Sequence, residues 1–597
     1  MTENQRHFDE IFQAFAVENY PKLLALAQSL IADFPQCVLG YKAAGVALLK
    51  LKQKKEALPF MEKAATLDPM DDEALSNYAQ TLLEIGNASD FAKAESILRQ
   101  ALKLNPESPV ILNNLAGALL RQNKLDEAEI FSERAFLKDC NNVEIWKNRI
   151  LAKFDSGKMA VGQELAEKAL EKFPNVFEFQ SHAFAYRSYF SDKIADFLPY
   201  LKRFSAFIAK NHPPIFEHLP PKLAKKRLKI GFVSGDFNQH VVALFLINLL
   251  SALKKQTLDC YAYATSNVVD STTNRLHPFF RRWQNIAAMD DLSAANLIKN
   301  DGIDILIDLS GHTKGNRLLV FALKPAPIQI TWIGWNGTSG IPTMDYIFAD
   351  SVMVPNEQSK AQFSETPFLT KGTWALYSPP KNLPEIADLP SYKNGFITFG
   401  AFHNPHKVWV KKTLELWASV LKENPTARLL WMRPDLKNPQ LKAFYLKEMC
   451  KLGIESERLD FLANENRNEY LKAHNQVDFI LDTFPVSSGT TAMEALLMGV
   501  PSLTLKGELM ASTLCASYLW HFDLKEWICN KPDEYIEKAT FFAKDFLSAA
   551  QKYNARRHAL RSKILQNPNS NAENFAAHFA QNLWQMWQKF AENSAKN

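Results

Sequence analysis

LDTFPVSSGTTAMEALLMGVPSLTLKG, residues Leu481 to Gly507, is the stretch whose reading decides the fold. Phe479, Ile480 and Leu481 close an apolar strand, and Pro485 to Gly489 form a loop of small residues. Thr490 to Met498 carry helical spacing, Gly499 stops the helix, and Val500 to Leu505 resume as a strand. A Ser/Gly/Thr loop that opens a helix directly after a strand aims free backbone N–H groups and the positive helix end at one point. That suits a phosphate group. Glu494, four residues into the helix, is placed to reach a ribose hydroxyl. The same residues also fit a plain β–α turn whose Thr490 caps the helix.

Outward from this stretch the same alternation continues. LKIGFVSGDF runs from a buried strand into a loop, followed by a helix from about Val242 to Leu253 and a second strand in DCYAYAT. Further strands are predicted in IDILIDLSGHT (Ile303 to Thr313) and IQITWIGW (Ile328 to Trp335). A second series starts at GFITFGAF (Gly395 to Phe402) and passes through ARLLWMRP, RLDFLA and VDFILDT to PSLTLKG. Short buried strands alternating with helices predict parallel sheets, whose ligands sit at the carboxyl ends of the strands. The two series break in the loop-rich span Thr370 to Asn394, and a last amphipathic helix, Ala572 to Ala591, is expected to pack across the assembly.

The N-terminal third reads differently. Prolines close helices at Pro35, Pro69, Pro106 and Pro174, at intervals of 34, 37 and 68 residues. The longest interval is twice 34, with Cys140 at the missing boundary. Ala44, Gly45, Ala57 and Ala64 recur as Ala79, Ala94 and Ala101, then as Ala116, Ala128 and Ala135, among large residues such as Tyr41, Tyr78 and Leu115. The second unit carries three extra residues near Asn87 to Asp90, and residues 5–35 read as a degenerate capping unit. This is the pattern of the tetratricopeptide repeat, a helix pair in which small residues let the helices approach. Asn77, Asn114 and Asn148 share one register position. In a stacked solenoid they form a ladder whose amides can clamp a peptide backbone, so a protein or peptide acceptor along the repeat groove is expected.

Composition limits the alternatives. A chain of 597 residues exceeds one core. A net charge of +5 does not by itself predict nucleic-acid binding, and the Lys/Arg run Lys222 to Lys229 reads as a solvated domain edge. The six cysteines show no CxxC and no paired Cys/His spacing, which argues for a reducing compartment and against zinc. No window of 18 uninterrupted apolar residues predicts a membrane span, and the polar N-terminus MTENQRHFDE does not read as a signal peptide. A cytoplasmic location follows as the expectation.

The strand-end loops carry the chemistry. SGDFNQH presents Asp236 and His240 together; a histidine beside a carboxylate can accept a proton or bind a sugar hydroxyl, though surface histidines in ordinary loops look the same. SGHTKGNR and GWNGTSGIPTMDY are glycine-rich loops able to bring backbone amides close to a ligand. FGAFHNPHKVW offers Asn404 and Lys407 after a strand, where an ammonium beside a helix start suits a departing diphosphate. In ENRNEYLKA, Arg467 and Tyr470 lie one turn apart, a cation and an aromatic face on which a base could stack. There is no GxGxxG, no P-loop and no DxD pair, so a diphosphate neutralised without metal is the consistent picture.

Together, DFNQH, GHTKGNRLLVFALKPAPIQITWIGWNGTSGIPTMDY, FGAFHNPHKVW and LDTFPVSSGTTAMEALLMGVPSLTLKGE resemble the O-linked N-acetylglucosamine transferase family over nearly the whole chain. The resemblance implies an α-solenoid followed by a GT-B glycosyltransferase of two Rossmann-like domains. Its boundaries are a repeat array over 1–175, a helical linker over 176–222, one catalytic domain over 223–383 and a nucleotide-sugar domain with a C-terminal helix over 384–597. It implies inverting, metal-independent transfer from a UDP-sugar, UDP-GlcNAc or UDP-glucose, to a protein side chain, with no cofactor beyond the donor. By the same resemblance His240 and Asp236 lie at the sugar and acceptor, His240 as base candidate, and Gly334 lies close to the sugar. Asn404 and Lys407 hold the diphosphate, Thr490 and Thr491 donate to the phosphates, and Arg467 and Tyr470 contact the nucleoside. Tyr470, Glu494 and Gly489 depart from the family pattern, where histidine, aspartate and a histidine or similar residue are usual, which leaves the donor open. The superfamily includes enzymes that glucosylate asparagine and members that use GDP-fucose, so Ser/Thr and Asn acceptors, and a non-catalytic scaffold, remain as alternatives.

Overall fold

The computed structural model describes residues 3–594 except 52, 86–87, 219–224, 409 and 465. Asn87 of the spacer and the linker end Pro220 to Lys222, singled out above, lie outside the described residues. The chain divides into two compact units, Met1–Phe179 and Gln180–Asn597.

Among the described residues of the first unit, helices pair from Glu3–Ala16 and Tyr20–Asp33 through to Val143–Asp155 and Met159–Lys172. Local chemistry starts them: Ser108 accepts from Ile111 N–H ahead of Pro109, and Asn142 accepts from Glu144 N–H. The alanines of the repeat pattern, Ala44, Ala64, Ala79, Ala101, Ala116 and Ala135, are fully buried, as close helix approach requires. Acidic residues on the second helices reach lysines of the following repeat, in the pairs Glu62–Lys93 (3.0 Å), Glu95–Lys124 (2.6 Å) and Glu129–Lys158 (2.6 Å). The asparagine register is half-buried and partly consumed by stacking. Asn114 Nδ2 donates to Ser76 Oγ at 3.1 Å, and Asn148 Nδ2 donates to Asn113 Oδ1 at 2.9 Å. These amides therefore staple one repeat to the preceding one.

The second unit holds two sheets. The first comprises β1 (Leu228–Ser234), β2 (Leu258–Ala264), β3 (Arg282–Asn285), β4 (Ile305–Asp308), β5 (Ile328–Thr331), β6 (Tyr346–Ala349) and β7 (Thr366–Leu369). The second comprises β8 (Thr398–Ala401), β9 (Arg428–Met432), β10 (Leu459–Leu462), β11 (Phe479–Leu481), β12 (Ser502–Leu505) and β13 (Ile528–Cys529). Every pairing is parallel, in the orders β3-β2-β1-β4-β5-β6-β7 and β10-β9-β8-β11-β12-β13. In both sheets the winding reverses at one point, between β1 and β4 and between β8 and β11. A doubly wound sheet leaves its ligand crevice there.

The sequence reading did not name β3, β6, β7 or β13. β3 and β7 are exposed at both ends and β13 has two residues, so none offers the buried run that marks a strand. β6 is buried, but its first residue, Tyr346, reads as the end of the glycine-rich loop GWNGTSGIPTMDY. The loop-rich span Thr370 to Asn394 is partly core, since Trp374, Ala375, Leu376 and Tyr377 are all buried. The last helix, Ala572–Ser594, packs on helix Val241–Leu253 and on β5, so the chain end returns to the first sheet.

Candidate functional site

The loop after β11 is built around Asp482. Its buried carboxylate accepts from Ser488 N–H (3.0 Å), Thr483 N–H (2.9 Å) and Thr504 Oγ–H (2.7 Å), which folds the loop back onto the strand ends. His403 Nε2, from the loop after β8, lies 3.1 Å from Asp482 Oδ1. Burial pushes the Asp482 carboxyl up. The close approach of His403, the hydrogen bond from Thr504 and the charge of Lys407 outweigh it, so the group stays below the usual carboxylate range. Neither Asp482 nor His403 was assigned a role from the sequence. The only signal was their place at the ends of the two strands that flank the switch point.

Helix Thr490–Leu497 starts from Gly489, and no side chain caps it. Thr490 is the first helical residue, so the plain-turn reading with Thr490 as cap does not describe it. Met493 N–H returns to Gly489 O, leaving the N–H groups of Thr490, Thr491 and Ala492 ahead of the helical ladder. Gly489, Thr490 and Thr491 are half-buried, and a Cβ at Gly489 would meet nothing within 4 Å. The helix end is open.

Lys407 comes to the same place from β8. Asn404 Oδ1 accepts from His406 N–H (2.9 Å) and Asn404 O from Lys407 N–H (3.0 Å), a short turn that aims the lysine across the switch point. Its Nζ donates to Ser487 O at 2.6 Å, two residues before Gly489. Burial pushes the ammonium down to about 8, against the opposing charge of Asp482. A lysine so placed has two further N–H groups beside an uncapped helix start.

Arg467, Tyr470 and Glu494 also converge, in an arrangement different from the one the sequence implied. Glu494 is 3% exposed, and its Oε1 is ion-paired with Arg467 and accepts from Tyr377 O–H at 3.1 Å. Its carboxylate is therefore an anchor inside the fold, where the sequence reading had it free to meet a ribose. Tyr470 is buried against Phe402 and His474, because the i+3 face of helix Arg467–Ala473 turns onto the end of β8. Its ring is core, and the half-exposed Arg467 guanidinium is the surface of this group. Tyr377 was missed. Its span looked like a connector, yet its ring also packs on Phe245 at 5.7 Å, in the helix that His240 caps. Tyr377 thus touches both helices about one turn inside their N-termini. Replacing Glu494 with alanine strands the Arg467 guanidinium and the Tyr377 hydroxyl. A loss of about 1–3 kcal/mol in denaturant unfolding is expected, and a smaller loss for Glu494→Gln, which keeps an acceptor for Tyr377.

On the first sheet, His240 is the N-cap of helix Val241–Leu253. Its Nδ1 lies 3.4 Å from Val242 N and 3.5 Å from Asp236 Oδ2. Burial raises the Asp236 carboxyl, offset in part by His240. Gly334 is the tightest of the described glycines, where a Cβ would stand 1.8 Å from Leu309 O and 2.5 Å from Ser310 N. This glycine lets the loop after β5 lie directly on the loop after β4. His312, in the GHTKGNR loop, is a buried structural histidine. Nδ1 lies 2.7 Å from Ser181 Oγ and Nε2 lies 2.9 Å from Ser339 O, and burial lowers its pKa to about 4. The segments that follow β6 and β12 meet where Ser517 Oγ, in helix Leu514–His521, donates to Asp350, the residue after β6, at 2.5 Å.

A repeat solenoid followed by two doubly wound domains, with open switch-point loops on both, defines a GT-B class protein carrying tetratricopeptide repeats. The chain belongs to glycosyl transferase family 41, whose model matches residues 171–375 and 388–575; tetratricopeptide models match 41–70 and 88–148. It is 32% identical over 380 residues to the rice protein named probable UDP-N-acetylglucosamine–peptide N-acetylglucosaminyltransferase SPINDLY, and 27% identical over 376 residues to the Arabidopsis thaliana protein SEC. These alignments cover 63% and 61% of this chain and 40% and 37% of the relatives, so the chain spans about two fifths of the length of these curated relatives. A mutant of Thermobaculum terrenum O-GlcNAc transferase superposes with a TM-score of 0.80 at 28% identity, covering 87% of this chain and 98% of that one.

Proposed function

We propose that this protein transfers a sugar from a UDP-sugar to a polypeptide side chain with inversion, and that Ser and Thr hydroxyls are its acceptors. The observation that carries the reading is the convergence of the Lys407 ammonium and the uncapped start of helix Thr490–Leu497 at one switch point. Names of relatives, with UDP-N-acetylglucosamine as donor and peptide as acceptor, support it. In the transfer the acceptor oxygen forms a bond to the anomeric carbon opposite the departing UDP, whose diphosphate gains charge as its bond to the sugar breaks. Lys407 and the Thr490 and Thr491 N–H groups stabilise that charge, Asn404 lies beside them, and Arg467 faces the nucleoside. The reading assigns charge neutralisation to these groups and asks for no metal, so EDTA is expected to leave turnover unchanged.

His240 has two tautomers with different uses. With hydrogen on Nδ1, donated toward Asp236, Nε2 is free to take the acceptor proton. With Nδ1 accepting from Val242 N–H, Nε2 carries the hydrogen and can only donate. We assign the first to catalysis: it gives up the 3.4 Å bond from Val242 N–H for one to Asp236, the orienting group 3.5 Å away. His240→Ala is expected to lower turnover about 10²-fold or more with UDP affinity held within about threefold, and Asp236→Asn to follow it. Full activity in Asp236→Asn would leave His240 as a donor only.

The deciding experiment incubates the purified chain with UDP-GlcNAc or UDP-glucose and a cell-extract acceptor, and reads the modified peptides by mass spectrometry. Sugar on Ser or Thr is the expected result. Sugar on Asn would move the acceptor class, and no transfer from either donor would sink the reading. The six unpaired cysteines suit a reducing compartment, and no helix among the described residues is long and apolar enough to cross a membrane. We place the protein in the cytoplasm on that chemistry.

A further inference from the structure

A second cavity, of about 190 Å³, lies at the amino ends of β11 and β12, the edge of the second sheet opposite the switch-point loops. We infer that it is a binding site for a small aromatic carboxylate, distinct from the donor site. Its floor is apolar and closely packed: Trp527, Phe546, Tyr553 and Leu560 are each less than a tenth exposed, and the Phe546 and Tyr553 rings stack at 4.1 Å. For comparison, an engineered apolar cavity of roughly 150 Å³ takes up benzene, so this volume fits one ring with a short substituent.

Charge selects the substituent. The lining carries Arg556, Arg557 and Lys563 against Asp478 and Glu526. Two of these five are fully committed to the fold. Buried Arg557 donates to Ala387 O, Val477 O and His474 O, and buried Asp478 accepts from Ser391 and Thr398 N–H. Of the remaining three, Lys563 donates to Asp523 O at 2.9 Å and Glu526 is exposed. Arg556 lies over the Tyr553 ring at 5.6 Å, and no carboxylate pairs with it among the described residues. An arginine laid on an aromatic wall at the mouth presents its fork to a carboxylate while the ring of the ligand sits below. A neutral or cationic ligand of the same shape would leave that fork without a partner.

The site touches the donor-binding element from behind. Gly499, which ends helix Thr490–Leu497 with φ of +75°, lines the cavity and approaches Arg557 O so closely that a Cβ would stand 2.5 Å away. An occupant there lies at the C-terminal end of the helix whose N-terminus faces the phosphates, so it does not compete with UDP.

The test titrates 3-phenylpropionate and its neutral analogue 3-phenyl-1-propanol into the full chain by saturation-transfer NMR, with and without saturating UDP. Saturable binding of the acid at about 1 mM or tighter is expected, with the alcohol about tenfold weaker and UDP without effect. Arg556→Gln, at an exposed position, should weaken the acid about tenfold and bring it level with the alcohol. Ala559→Trp, also exposed and at the mouth, should block both. No saturation by about 10 mM, equal binding of acid and alcohol to the unaltered chain, or displacement by UDP would each overturn the inference.

Discussion

Replacing Lys407 with alanine is expected to lower transfer about 10²- to 10³-fold, the range seen when one preorganised donor to a developing anion is removed. The loss should fall on kcat, because the ammonium meets its greatest charge only as the diphosphate departs. UDP binding should weaken far less, since the uncapped start of helix Thr490–Leu497 remains. Undiminished turnover would remove Lys407 from the mechanism. The pH dependence follows from the same burial. The Lys407 ammonium loses its proton near pH 8, so activity is expected to be present below that value and to fall as pH rises through it. Stability runs the other way. A lysine whose folded pKa lies below its unfolded value binds more protons when unfolded between about pH 8 and 10.5, so folding is favoured as pH rises across that window. A rate that falls over a range in which the fold grows firmer would separate the catalytic proton from general unfolding.

Gly334→Ala is expected to be the most damaging small substitution in the second unit. The added methyl group would stand 1.8 Å from Leu309 O, and its obstacles are backbone atoms that no rotamer change can clear. The loops after β4 and β5 must separate, and a loss of about 4 kcal/mol or more, or failure to accumulate folded protein, is expected. Urea unfolding followed by circular dichroism checks it. Gly489→Ala is the matched control, because a Cβ there meets nothing within 4 Å, and its stability should change by no more than about 0.5 kcal/mol. Equal stability of the two variants would show that the close approach at Gly334 is not needed for the fold. The comparison separates two glycines that the family resemblance associates with the donor.

Much of the second unit was legible because its central strands are buried on both faces and its helices carry their own stop signals. β1, β2, β4 and the series from β8 to β12 lie where the apolar runs put them, and helix Thr490–Leu497 ends before Gly499. The edge strands β3, β7 and β13 were not legible, since half-exposed segments of two to four residues leave no periodic trace. Within the site, the residue types at the strand ends were readable, but their partners were not. Tyr470 sits in the motif where a base could stack, and the turn of its helix buries it. Tyr377 lies in a stretch with loop composition, and only packing against Phe245 and Glu494 gives it a place.

By itself the sequence determined the repeat solenoid, the two parallel α/β domains and the strand-end loops. Helical and strand periodicity, glycine stops and small-residue spacing are local properties, readable without knowing what each segment touches. Only the tertiary structure decided that Asp482 and His403 hold the loop behind Lys407, that Glu494 is spent on Arg467 and Tyr377, and that Gly334 is a contact between two loops. Those outcomes depend on distances between segments 25 to 117 residues apart, such as Gly334 to Leu309, Lys407 to Ser487 and Tyr377 to Glu494. Burial and pairing across such separations set charge and accessibility, and neither is encoded in the spacing of residues along one segment.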